Sequence, residues 1–220
     1  MTMLNAAIRD IPLPPRLARR PVNERGFPVP WFASLIDGKW DFVNLDPRKI
    51  GEAYRRKICW LCGEPMGQFH SFAIGPMCSI NRVSSEPSAH LGCCEYAVRA
   101  CPFLARPNAK RNDKAHLAPS MANVPGVAIE HNPGAVLIWT TRTFKPIRAS
   151  GGTLFSLGEP TAVSWWAEGR TATRAEIDAA IAKGLPFLRR AAESEGAEAV
   201  SELEQYITRA AKLLPQGSQP

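Results

Sequence analysis

Toward the end of this 220-residue chain the apolar positions fall at helical spacing. Ile177, Ile181 and Leu185 follow Thr173 and Glu176, which have the spacing of a capping box. Gly184 and Pro186 predict a break there and a second helix to about Ala192, and Gly196 predicts another break. Val200, Leu203, Ile207, Ala210 and Leu214 then form an amphipathic stripe ended by Pro215, which reads as core packing. Residues 216–220 should fray. Upstream the pattern changes to strands. Residues 127–130 and 135–141 read as two strands around His131-Asn132-Pro133-Gly134. Residues 153–157 and 161–166 read as two more, divided by Gly158-Glu159-Pro160. Together these predict a small antiparallel sheet packed with C-terminal helices.

The first half is less regular. Six prolines between Pro12 and Pro30 argue against a stable helix, so residues 1–30 read as a basic, proline-rich arm that either folds on a partner or straps the domain. Trp31, Phe32, Leu35, Ile36, Trp40 and Phe42 carry apolar area that must be buried, with Asp37-Gly38-Lys39 as a turn. Residues 47–57 read as a short basic helix, with Asp46 as N-cap and Pro47 at its first position, leading to Cys59. Prolines and polar residues make 106–126 a linker. The predicted organisation is an arm (1–30), a metal-binding module with an aromatic entry (31–105), the linker (106–126) and an α+β domain (127–215).

Six cysteines change this picture. Cys59-Trp60-Leu61-Cys62-Gly63 places two thiolates where one ion can hold both, with a glycine free to take a left-handed conformation next. A redox pair would want a helix directly after the motif, but Gly63, Pro65 and Gly67 follow. His90-Leu91-Gly92-Cys93 supplies a second pair, on one face of the first turn of a helix through 95–100. Cys94 is an alternative to Cys93, and Cys78 an alternative to His90. Cys101 reads as a buried thiol. Between the pairs, 68–74 and 77–83 around Gly75-Pro76 read as a hairpin.

A CxxCG, a hairpin and two ligands at a helix start resemble the treble-clef class of zinc finger over about 40 residues. The resemblance implies a Zn2+ ion held by Cys59, Cys62, His90 and Cys93, and an α+β chain that opens with a treble-clef-like zinc module. A longer string is similar to an uncharacterised family of bacterial and bacteriophage hypothetical proteins. It comprises Gly75-Pro76-Met77-Cys78, Asn81-Arg82, Ser84, Glu86-Pro87, His90, Cys93, Tyr96-Ala97 and Cys101-Pro102-Phe103-Leu104, and extends to Trp165, Glu168-Gly169-Arg170 and Ala172-Thr173-Arg174. It implies a phage or prophage setting and no activity. Small residues are commoner in that family at the position of Cys94, which favours Cys93 as the ligand.

The net charge of +7 is uneven. Residues 1–58 hold 11 Lys/Arg against 6 Asp/Glu, whereas residues 121–220 hold 10 of each. A basic half beside a metal module suits an anionic partner, most simply nucleic acid bound without regard to sequence. The candidate contacts are Arg16, Arg19, Arg20, Lys49, Arg55, Arg56, Lys57, Lys110, Arg111 and Lys114. A second expectation is a protein-interaction module that uses the C-terminal sheet and helices. A third is a metal-dependent nuclease built from His70, Asn81, Glu86 and His116, whose spacing matches no nuclease signature. Of Trp165 and Trp166, strand alternation predicts one buried and one exposed, the exposed ring stacking on a base or a partner, unless both pack on the helices. Phosphate-loop, GxSxG, HExxH and GxGxxG motifs are missing. With no long apolar run or secretory leader, the expectation is a cytoplasmic protein with reduced cysteines and no membrane association.

Overall fold

The computed structural model describes residues 3–42, 47–106, 109–110, 131–149 and 152–216. The architecture is mixed α+β, with antiparallel sheets and helices. The expected strand at 127–130 lies outside the described residues, as do Asp46, Arg111, Lys114 and His116.

The prolines of the N-terminal segment allow one helical turn, α1 (Pro15–Ala18), which starts on a proline. The segment as a whole is a strap. Ile8, Leu17 and Val29 are buried, the first two in one core cluster with Cys59, Trp60 and Cys62. β1 (Ser34–Ile36) and β2 (Lys39–Asp41) pair across Asp37-Gly38, both at positive φ, as a two-residue hairpin turn requires. Helix α2 (Pro47–Arg56) follows and delivers the chain to the first cysteine pair.

The expected hairpin at 68–83 is corrected. Its first half is a strand, β3 (His70–Ile74), but its second is a helix, α3 (Pro76–Asn81), with Pro76 at the first position. A short strand β4 (Val83–Ser84), helix α4 (Leu91–Ala100) and the turn of helix α5 (Pro102–Ala105) come next. β3 finds its partner far along the chain, in β5 (Val136–Thr141), with His70 opposite Thr141 and Ile74 opposite Leu137. The segments on either side of the expected linker therefore share a sheet. Its order is β3-β5-β8-β9, where β8 is Pro160–Ala167 and β9 is Arg170–Thr171.

All six residues of β5 are buried, because the strand is a wall between two cores. Val136 and Ile138 face the core of Cys59, Trp60 and Cys93. Leu137 and Trp139 face Phe72, Phe155 and Ile177. The period-two geometry of a strand sends alternate side chains to opposite sides. A second sheet, β4-β7-β6, is built on the hairpin of β6 (Phe144–Ala149) and β7 (Gly152–Leu157).

At the C-terminal end, α6 (Arg174–Glu195) runs unbroken through Gly184 and Pro186, against the expected break. Gly184 is where α6 crosses α3: a Cβ there would lie 2.8 Å from Met77 Cγ. Ile181, Leu185 and Leu188 pack with Met77, Ile80 and Leu203. That burial offsets the hydrogen bond lost at Pro186, which costs roughly 3 kcal/mol in an unsupported helix. Helix α7 (Ala197–Ala210) starts after Gly196, and Val200, Leu203 and Ile207 pack inward as their stripe predicts. Trp165 is buried and its indole N–H donates to the Leu213 carbonyl, at 3.0 Å. Trp166 is half-buried beneath the Arg99 guanidinium rather than open to solvent. No described helix is long and apolar enough to cross a membrane.

The capping box at α6 is complete. Glu176 accepts hydrogen bonds from Arg170 and from the Thr173 backbone, which hold its carboxyl at about 2, below its ordinary 4.5. A depressed carboxylate contributes stability above its unfolded value and loses it as pH falls through the folded one. Thermal melts should therefore show a stability loss between about pH 4.5 and pH 2 that Glu176→Gln diminishes. The effect is small, since solvent screens the pair.

Candidate metal centre

The first ligand pair sits in a tight backbone loop. The Cys59 N–H donates to the Glu64 carbonyl and the Gly63 N–H to the Cys59 carbonyl, both at 2.8 Å. Gly63 has φ +80°, and a Cβ on it would fall 2.4 Å from Trp31 Cδ1. Only glycine fits there, for reasons of backbone and of space. The loop turns the Cys62 N–H toward Cys59 Sγ, at 3.4 Å.

The second pair comes from the start of α4, where His90 is the N-cap and Cys93 lies in the first turn. The His90 N–H also points at Cys59 Sγ, at 3.4 Å. His90 Nε2 is 3.0 Å from the Pro65 carbonyl, which can only accept, so Nε2 carries the proton in that bond. In the neutral ring Nδ1 is then a bare lone pair. It lies 3.4 Å from Cys62 Sγ and 4.0 Å from Cys93 Sγ.

The ligand atoms of Cys59, Cys62, His90 and Cys93 all lie within 4.8 Å of one another, and this group can hold a metal ion. Tetrahedral coordination with bonds of about 2.3 Å to sulfur sets ligand atoms about 3.5–3.8 Å apart. The observed separations bracket that range. Cys59 is the thiol that ionises most easily, because Cys62, Cys93 and His90 all direct hydrogen bonds to its sulfur. Once Cys59 carries the charge, Cys62 is pushed up to about 11 and Cys93 further still. His90 is raised by the same sulfur. Protons alone satisfy this cluster one sulfur at a time, whereas a divalent cation satisfies three together.

Three thiolates, one neutral imidazole and a divalent ion would leave one net negative charge. The strap supplies the counter-charge. Arg20 lies close enough to Cys62 to feel its charge, and its Nε donates to the Val29 carbonyl at 2.9 Å. Arg16 and Arg19 pair with Glu64 at 3.2 Å and 2.7 Å, beside a cleft that reaches His90 and Cys93. Glu64 was not singled out from the sequence, although it directly follows Gly63.

The other cysteines do not join. Cys94 is fully buried on the inner side of α4, and burial raises its thiol well above the ordinary value. Cys78 packs against the second core, and burial also raises Cys101. All six cysteines are free thiols.

The expected nucleic-acid contacts divide. Lys49 is committed to the structure, its ammonium 3.0 Å from the Trp31 carbonyl and 2.6 Å from that of Ala33. Arg20 is likewise engaged. Arg56 pairs with Glu52 along α2. Arg55, Lys57 and Lys110 are exposed. Of the nuclease candidates, His70 hydrogen-bonds Ser88 Oγ at 3.1 Å and packs on Phe144. Among the described residues, no second group of His, Cys, Asp or Glu is gathered closely enough to hold an ion. No protein-family model matches the chain, and neither does any curated protein or solved structure.

Proposed function

We propose that this is a nucleic-acid-binding protein whose Cys59–Cys62–His90–Cys93 cluster holds a structural zinc ion. Three sulfurs and one imidazole are a donor set that selects zinc over harder divalent ions. Cys59, Cys62 and Cys93 are buried, and four protein ligands leave no position for a substrate. A knuckle followed by a ligand-bearing helix start supports a treble-clef-like reading. In place of the hairpin the chain has β3, α3 and β4, with a lone bridge between Ser71 and Ala89. The phage or prophage setting belongs to the same proposal.

The observation that carries the nucleic-acid reading is the set of cations flanking the knuckle. Arg16 and Arg19 share a single carboxylate, Glu64. Arg55 and Lys57 form no salt bridge among the described residues. Charge neutralisation of phosphates releases counterions, so affinity should fall steeply with salt. Fluorescence anisotropy with a labelled oligonucleotide should give a log–log salt slope of roughly −3 to −4 for about four phosphate contacts. Replacing Arg16, Arg19, Arg55 and Lys57 by Gln should flatten it. Absence of binding at low salt would refute the reading.

A further inference from the structure

Exposed aromatic rings and cations gather where the end of α2 meets the start of β3 and the edge strand β6. Phe69 is 47% exposed, and the Arg142 guanidinium lies 5.2 Å from its ring centroid. His70, the next residue, meets Phe144 edge-on at 4.8 Å. Tyr54, 36% exposed, meets Phe144 at 5.6 Å. Phe144 is held from beneath by Phe72 and Phe155, at 5.2 Å and 5.7 Å, so the rings rest on the core. Lys57 is near enough to His70 that its charge, after burial, lowers the pKa of the imidazole. Among the described residues no carboxylate forms a salt bridge with Lys57 or Arg142.

Exposed rings flanked by unneutralised cations match two features of one ligand: a flat base and a phosphate. A duplex keeps its base faces stacked inside, so only an unpaired strand offers both at once. We infer that Tyr54, Lys57, Phe69, His70, Arg142 and Phe144 form a platform for single-stranded nucleic acid. This rests on the nucleic-acid reading above and adds the strandedness of the ligand and its place. The platform adjoins the metal module. The Lys57 carbonyl accepts the Met66 N–H at 2.8 Å, so the knuckle helps set where Lys57 stands.

The test uses the full-length, metal-loaded protein with a fluorescent oligothymidylate and a mixed-sequence duplex of equal length. The single strand should bind more tightly, and Phe69→Ala should weaken it by roughly tenfold while leaving the duplex unchanged. Phe69→Trp, which keeps a ring at this exposed position, should retain binding. Lys57→Gln and Arg142→Gln should each reduce the single-strand salt slope by about 0.7. Equal affinity for both ligands with Phe69→Ala silent would overturn the platform and leave the nucleic-acid reading standing. No binding of either at low salt would overturn both. Polyglutamate bound as tightly as the oligothymidylate, and unaffected by Phe69→Ala, would assign the patch to an acidic protein partner and overturn the inference.

Discussion

Removing a bound metal, by chelation or by Cys59→Ser with Cys62→Ser, is expected to unfasten the strap, the knuckle and α4 and leave the helical end folded. A structural zinc contributes an apparent 10–16 kcal/mol, roughly, at neutral pH. That equals or exceeds the whole stability of an ordinary domain, about 5–15 kcal/mol. The strap, the knuckle and α4 would depend on such an ion together, since Ile8, Leu17, Trp60 and Cys93 belong to one core. The core of Ile177, Trp139 and Trp165, and that of Met77, Ile80 and Leu203, contain no ligand residue. Trypsin should therefore cut first at Arg16, Arg19 and Lys57, while circular dichroism retains the helical signal of 174–210. A single cooperative loss of all structure on chelation would show that the cores are not separable in this way.

Trp60→Ala is expected to have the next largest effect, about 3–5 kcal/mol of destabilisation. Trp60 is 1% exposed and lies between the two knuckle cysteines. Phe32 stacks on it at 5.1 Å and Trp31 meets it edge-on at 6.1 Å. Its backbone N–H, which alanine keeps, donates to the Ser88 carbonyl at 3.0 Å and joins the knuckle to the segment that presents His90. Losing the ring that Trp31 and Phe32 pack on loosens the loop between Cys59 and Cys62, so the substitution should weaken metal retention as well as stability. Trp139→Ala is the control. Trp139 is equally buried, in the other core, so its loss should cost a similar amount and leave metal affinity unchanged. Denaturant midpoints combined with competition against a colorimetric zinc chelator would separate the two effects. Equal losses of metal affinity in both variants would mean that Trp60 acts only through global stability.

The residues that form the cluster could be read from the chain because their spacing is local within each pair. Cys59 and Cys62 share one loop, and His90 and Cys93 one helical turn. That the pairs meet depends on the 27 positions between Cys62 and His90, where local signals were misleading. Gly75-Pro76 looks like a hairpin turn, yet Gly75 is an N-cap and Pro76 opens α3. The partner of β3 follows α3, α4 and α5, and no local pattern announces so distant a pairing. β6 escaped notice because Lys145, Pro146 and Arg148 disguise it. Those residues suit an edge strand, which β6 is. Gly184 and Pro186 read as breakers because only the packed structure reveals Met77 against α6. From the sequence the strap's arginines read only as contacts for an external anion. Arg16, Arg19 and Arg20 also stand around the Cys59–Cys62–His90–Cys93 cluster, a placement invisible without Glu64 and Cys62 beside them.

Zinc K-edge X-ray absorption on the purified full-length protein, with metal content measured on the same sample, tests the centre most directly. One zinc per chain is expected, with three sulfur neighbours at about 2.3 Å and one nitrogen at about 2.0–2.1 Å. In Cys93→Ser the three-sulfur shell should be lost, and in Cys94→Ser it should be unchanged. Substoichiometric metal in carefully prepared wild-type protein, or an intact three-sulfur shell in Cys93→Ser, would contradict the assignment of Cys59, Cys62, His90 and Cys93.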